Sequence, residues 1–204
     1  MEKELVLSRI LKVLITGGYG FLGGNLAKYL SDEGYEVFLG TRYLDEKSRT
    51  LLTFKAEARE ILWESSKSLL SASQSLDAII HLASMNAQQC LKNPNKAYDF
   101  RSRSSTFLKE VFIKNKIKKL LYISSAHVYS DKCIGSFSEN SPILNKHPYA
   151  KSLMIGENVL LDLKKNYKSN VHILRPSNGY GVPVFQNTDC WHLFVNNICK
   201  QAVE

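Results

Sequence analysis

One stretch constrains this chain more than any other. An apolar run, Leu11 to Ile15, leads straight into Thr16-Gly-Gly-Tyr-Gly-Phe-Leu-Gly23, and Leu26, Ala27 and Leu30 follow at helical spacing. A strand, a glycine turn and an amphipathic helix in that order open a β-α-β unit. The first glycine allows the tight turn, the second lets a phosphate approach the backbone, and the third lets helix and strand pack closely. The helix beginning near Gly20 aims unpaired N–H groups and its positive dipole end at whatever occupies the turn. Glycines at this spacing also occur in ordinary turns. Between a strand and an amphipathic helix, Gly17, Gly20 and Gly23 predict a dinucleotide cradle.

The alternation continues to the end of the chain. Strands are expected at Lys12–Thr16, Glu36–Gly40, Arg59–Trp63, Ala78–Leu82, Lys119–Ser124 and Val171–Leu174. Helical patterns lie near 21–33, 66–75, 95–115, 149–167 and 188–203, with a charged, poorly patterned segment at 41–58. This succession predicts an α/β fold: a doubly wound parallel sheet (Rossmann fold) with helices on both faces and ligands beyond the carboxyl ends of the strands. The 204 residues suffice for one domain with a real core. No apolar run approaches the roughly 20 residues that span a bilayer, and the first ten residues lack the apolar centre of a signal peptide. Cys90, Cys133, Cys190 and Cys199 form neither a close metal-ligand pair nor a disulfide framework. Free thiols in a reducing cytoplasm, and no metal, are therefore expected. The net charge of +8 raises the question of nucleic acid. Its lysine clusters, Lys114–Lys119 and Lys164–Lys168, fall where helices should end and complement the helix dipoles. No basic stripe interleaves with aromatics, so neither nucleic acid nor membrane is expected as a partner, and a phosphate-rich small ligand suits the charge.

Several further segments recur together in one family. They are Asp77-Ala-Ile-Ile-His-Leu-Ala83, Tyr122-Ile-Ser-Ser-Ala-His-Val-Tyr129, Pro148-Tyr-Ala-Lys-Ser152 and Leu174-Arg-Pro-Ser-Asn-Gly-Tyr-Gly181. With the glycine turn, and in this order, they resemble the extended short-chain dehydrogenases/reductases, the NAD-dependent epimerases and dehydratases that include UDP-galactose 4-epimerase. The resemblance spans residues 11 to about 200. It implies that Gly17, Gly20, Phe21, Leu22 and Gly23 bind the pyrophosphate, and that Leu82 and Ala83 flank the cofactor's ribose. It further implies that Ser125 hydrogen-bonds the reacting substrate oxygen and that Tyr149 is the catalytic acid/base. Pro176 and Asn178 match positions beside the nicotinamide and the substrate's phosphates. Each has a structural reading as well: Ser125 as a strand-end cap, Tyr149 as an anchor at a helix start.

The chain departs from the family pattern at three points. The family's Tyr-x-x-x-Lys becomes Tyr149-x-x-x-Leu153. Tyrosine's unperturbed pKa of about 10 is high for a base at neutral pH, and the family's lysine lowers it with a positive charge. Lys151 is no substitute, because two helical steps rotate it by about 200°. An apolar Leu153 should instead desolvate the phenolate. Arg101 stands where the family usually has asparagine; turned inward it would partly replace the missing charge, but on a helix rich in polar residues it is expected to be exposed. The chain is also shorter than extended members, so residues 1–185 read as the NAD(P)-binding domain and 186–204 as the start of an incomplete substrate domain.

The end of the second strand bears on the cofactor. Relatives that use NAD place an acid there for the ribose hydroxyls, whereas this chain has Thr41 and then Arg42. A guanidinium can bind a 2′-phosphate that a carboxylate would repel, so NADP is expected over NAD. Asp45 and Glu46 follow beyond the strand, and Arg42 also has a reading as a solvated loop residue. The resemblance implies NAD(P)-dependent epimerisation, dehydration or reduction of a nucleotide-activated sugar, and a homodimer through helices 95–115 and 149–167. The alternative is a catalytically impaired dinucleotide-binding module.

Overall fold

Strand β1 (Lys12–Thr16) shows why the sheet is covered on both sides. Leu14 joins one apolar cluster while Val13 and Ile15 join another, because successive strand side chains point to opposite faces. A strand buried on both faces is apolar through its middle, here Val13–Ile15, as is usual in parallel sheets. The computed structural model describes residues 9–44, 53–132, 134–167, 170–186 and 188–204. Its elements are β1, α1 (Phe21–Asp32), β2 (Glu36–Thr41), β3 (Ala56–Glu60), α2 (Ser66–Ala72), β4 (Ala78–His81), α3 (Ala87–Lys92), α4 (Pro94–Lys114), β5 (Lys119–Ile123), α5 (Pro148–Tyr167), β6 (Val171–Leu174) and α6 (Phe194–Val203). A 3₁₀ turn, Ala126–Val128, follows β5.

All six strands pair in parallel, in the order β3-β2-β1-β4-β5-β6. The order reverses between β1 and β4, and ligands of such sheets bind at that crevice. The expected Rossmann architecture is therefore the observed one. On one face α2, α4 and α5 cover Leu14, Phe38, Ile79 and Leu120; on the other α1 and the segment around Phe185 cover Ile15, Leu39 and Ile80. Helix α5 lies close to β5 because of Gly156. A Cβ there would sit 2.2 Å from the Tyr122 hydroxyl oxygen, which donates to the Leu153 carbonyl at 3.0 Å.

A buried polar cluster ties α5 to the ends of β5 and β6. Glu157 accepts from Ser124 Oγ and from Arg175 Nε at 3.0 Å, and Arg175 also donates to the Tyr129 hydroxyl at 2.9 Å. At the opposite end of the sheet, Asp77 accepts from the Lys12 N–H at 3.1 Å and Lys118 Nζ at 2.9 Å. These bonds hold its carboxyl below the usual aspartate value, with Lys118 the main cause.

Some expected boundaries are corrected. The third strand is Ala56–Glu60, not 59–63: Ile61 and Trp63 are buried just past the strand end, and their apolarity mimics a strand. The helix expected at 66–75 stops at Ala72, where Ser73 caps it and Ser75 takes a positive φ. The one expected at 188–203 begins only at Phe194, after an extended Leu193. Helix α3 was not anticipated from the sequence pattern. Cys90 and Cys190 are buried and Cys199 is exposed, all as free thiols, while Cys133, Asp45, Glu46 and Lys168 lie outside the described residues. Among the described residues no helix is long and apolar enough to cross a membrane.

Candidate functional site

The glycine turn at the exit of β1 tolerates no side chain at two positions. Gly17 has φ +73°, and a Cβ there would lie 2.9 Å from the Ala83 nitrogen. At Gly23 a Cβ would fall 2.2 Å from the Gly17 carbonyl oxygen. Gly20 is the N-cap of α1 and supplies no side-chain cap, so the first-turn N–H groups lack intrahelical partners. A pyrophosphate fits these residues: the turn is free of side chains and a helix N-terminus opens behind it.

Beside the turn, Thr16 Oγ1 and His81 Nδ1 lie 2.7 Å apart, bridging β1 and β4 where the strand order reverses. His81 is fully buried between Trp63 and Tyr122. Burial first, and Arg101 second, keep its pKa well below the usual histidine value, so the ring stays neutral. Leu82 and Ala83 flank Gly17 from the end of β4. At the end of β2, Thr41 Oγ1 donates to the Tyr43 carbonyl at 3.0 Å and accepts from the Tyr43 N–H at 3.2 Å. Arg42 is exposed, its guanidinium carbon 5.9 Å from the Tyr43 ring centre.

Beyond the carboxyl ends of β4, β5 and β6 lies a cavity of about 720 Å³, within the usual range for small-molecule sites. Phe21, Leu22, Ser125, Tyr149, Pro176 and Asn178 all line it. Four motifs far apart in sequence are thereby brought to one end of the sheet. Local bonds explain the placement. Ser125 Oγ accepts the His127 N–H at 3.2 Å and so opens the 3₁₀ turn. The Ala126 N–H donates to the Pro176 carbonyl at 2.9 Å, drawing the segment with Asn178 alongside. His147 Nδ1 accepts the Tyr149 N–H at 3.1 Å, and Asn145 Oδ1 accepts the His147 N–H at 2.8 Å, which fixes the first turn of α5.

Tyr149 is half-buried against Val128, Tyr129 and Leu153. Leu153 itself is 1% exposed, while Lys151 is exposed on another face of α5. The phenol is pushed above the ordinary tyrosine value: burial raises it most, Arg101 pulls it down, and Cys90 raises it further.

Arg101 overturns an expectation. It is buried, 2% exposed, not solvated. Its Nη2 donates to Ser84 Oγ at 2.5 Å and its Nη1 to the Ala83 carbonyl at 3.5 Å. The sequence held a signal for this: Ala97, Arg101, Ser104, Ser105, Leu108, Val111 and Phe112 form one buried stripe of α4. Ser104 and Ser105 hid it by making the stripe look polar. The cavity walls from Ser84, Met85, Asn86, His127 and His147 also escaped the sequence reading. Asn86 left a trace, since with Gln89 it forms a capping box for α3.

A family model described as the NAD dependent epimerase/dehydratase family matches residues 13–202. UDP-arabinose 4-epimerase 1 of Arabidopsis thaliana is 26% identical over 184 residues, covering 83% of this chain and 43% of that relative. UDP-glucose 4-epimerase of Bacillus subtilis is 26% identical over 179 residues, covering 83% and 53%. The chain thus spans about half the length of the curated relatives it matches. Among solved structures, dTDP-glucose 4,6-dehydratase from Streptomyces venezuelae, with NAD bound, superposes with a TM-score of 0.79 at 19% identity, covering 95% of this chain and 62% of that one. UDP-glucose 4-epimerase from Bifidobacterium longum, in complex with NAD+ and UDP, gives 0.70 at 23% identity, covering 80% and 52%.

Proposed function

Because the chain belongs to the NAD dependent epimerase/dehydratase family, we propose that it binds a nicotinamide dinucleotide along the glycine turn and a nucleotide-activated sugar in the cavity, for epimerisation, dehydration or reduction of the sugar. The observation that carries this reading is that Ser125, Tyr149 and Asn178 line one cavity beside that turn. The dinucleotide, when bound, would supply hydride exchange with a sugar carbon. Tyr149 accepts the proton of the reacting sugar hydroxyl as phenolate and returns it as phenol. Ser125 Oγ already accepts the His127 N–H, which leaves its own hydrogen to donate to the same sugar oxygen. Asn178 offers an amide to the substrate's phosphates, and Phe21, Leu22 and Met85 supply apolar wall that limits water. Residues 1–185 would form the dinucleotide half and 186–204 the start of the substrate half. A homodimer would form through α4 and α5, to be checked by light scattering.

NADP suits the end of β2 better than NAD, since Thr41 is neutral and Arg42 is exposed there. Fluorescence titration of the chain with NADPH and NADH tests both the cradle and this preference. Arg42→Ala should weaken NADPH binding roughly tenfold, about 1.4 kcal/mol, and leave NADH unchanged. If neither dinucleotide binds below the millimolar range, the enzymatic reading is removed.

A second reading, a dinucleotide-binding module with impaired catalysis, is favoured by one observation: Leu153 packs against Tyr149 where a cation is needed, and the phenol is raised. Assay of UDP-glucose and UDP-galactose interconversion separates the two. With a raised phenol, the rate should climb about tenfold per pH unit towards the alkaline side. Leu153→Lys should move that limb to lower pH. Turnover seen only in Leu153→Lys would establish the impaired module.

A further inference from the structure

Arg101 is a buried cation. Among the described residues no ion pair includes it. Its contacts are the Ser84 hydroxyl at 2.5 Å, the Ala83 carbonyl at 3.5 Å and the face of the Tyr122 ring at 5.4 Å, all neutral, and its Nε has no hydrogen-bond partner. Removing a lone charge from water is expensive, and proteins ordinarily pair such a group. Here no carboxylate among the described residues pairs with it. Its field therefore reaches its neighbours, and Tyr149, Tyr122, Cys90 and His81 all feel a nearby positive charge from it.

The placement relative to Tyr149 is specific. Arg101 lies on the buried stripe of α4, and α4 packs on α5. The Tyr122 ring, over which the guanidinium sits, donates its hydroxyl to the carbonyl of Leu153, one turn beyond Tyr149. Ser84, which the guanidinium grips, lines the same cavity as Tyr149. We propose that Arg101 is a positioning residue for Tyr149, supplying from α4, across Ser84 and the Tyr122 ring, the positive charge that position 153 on Tyr149's own helix lacks. The proposal rests on the reading of Tyr149 as the proton-transfer group.

The groups that face the phenol come from several elements: Arg101 on α4, Cys90 on α3 and Tyr122 on β5, with His147 bonded to the Tyr149 N–H. Cys90 opposes Arg101, and burial outweighs it, which is why the phenol still ends above its ordinary value. The compensation is partial. Arg101 limits the penalty that Leu153 imposes and does not abolish it.

The test reads the phenol directly and needs neither dinucleotide nor sugar. The full chain is labelled with tyrosine carrying ¹³C at Cζ, the Tyr149 resonance is assigned with Tyr149→Phe, and it is titrated through the alkaline range. Arg101→Met should raise the midpoint by about one pH unit. Adding Leu153→Lys to Arg101→Met should bring it back down. An unchanged midpoint in folded Arg101→Met would overturn the proposal. Should Arg101→Met fail to fold, Ser84→Ala decides: it frees the guanidinium from an exposed residue and should raise the midpoint by a smaller amount, and no change refutes the idea. Absent dinucleotide binding in the titrations above would defeat the enzymatic reading while the phenol titration still reports on Arg101.

Discussion

A methyl group is enough to close the glycine turn. Gly23→Ala would press a Cβ to 2.2 Å from the Gly17 carbonyl oxygen, a backbone atom that cannot step aside. The variant should lose about 1–3 kcal/mol of stability, read as a lower urea midpoint, and should lose dinucleotide binding altogether. Glycines 17, 20 and 23 were legible in the sequence because steric need leaves a fixed residue type at a fixed spacing. Ser125 and Tyr149 were legible through the family segments around them. Arg101 was not. Its type says surface, and only the periodicity of its buried neighbours on α4 says interior. Burial of an arginine is decided by tertiary partners, here Ser84 and Tyr122, which no local pattern reveals.

Helix α5 carries the site because it is fastened at both a close approach and a charge pair. Gly156 lets it lie on Tyr122, and Glu157, wholly buried, grips Arg175 with a 2.5 Å bond from Nη2 to Oε2. Arg175→Met strands the Glu157 carboxylate in the interior. A cost of about 3–5 kcal/mol is expected from chemical denaturation, and replacing both residues by apolar ones of similar volume should restore much of it. Long amphipathic elements such as α1, α4 and α5 were readable from spacing alone. Short ones were not. Helix α3 has six residues, too few for a period, and its only sequence mark is the Asn86–Gln89 cap. Edge strand β3 was misplaced because its only apolar residues are two alanines and Glu60 breaks their alternation, while Ile61 and Trp63 fill the core after pairing has ended.

For the molecule as a whole, two buried groups contribute to the acid response. His81 is neutral when folded and protonates on unfolding below its ordinary 6.5. The unfolded chain then binds the extra proton, so stability falls as pH drops below that value, by about 1.4 kcal/mol per pH unit at most. Asp77 has a depressed folded pKa, so its contribution is complete above the ordinary 3.8 and disappears as pH falls through the lower folded value. Urea midpoints measured across pH should show both declines, and His81→Gln should flatten the first. The architecture itself was legible, since β-α alternation with right-handed crossovers leaves few arrangements. The bridge between its halves has a consequence in time. Thr16 and His81 stand 65 residues apart, and β1–β4 joins residues more distant in sequence than any other pairing of the sheet. During synthesis β1 meets β2 early but waits for β4, with one edge of unpaired N–H and C=O groups open to other nascent chains. A strand at the centre of the finished sheet is thus the one whose edge stays open longest during synthesis.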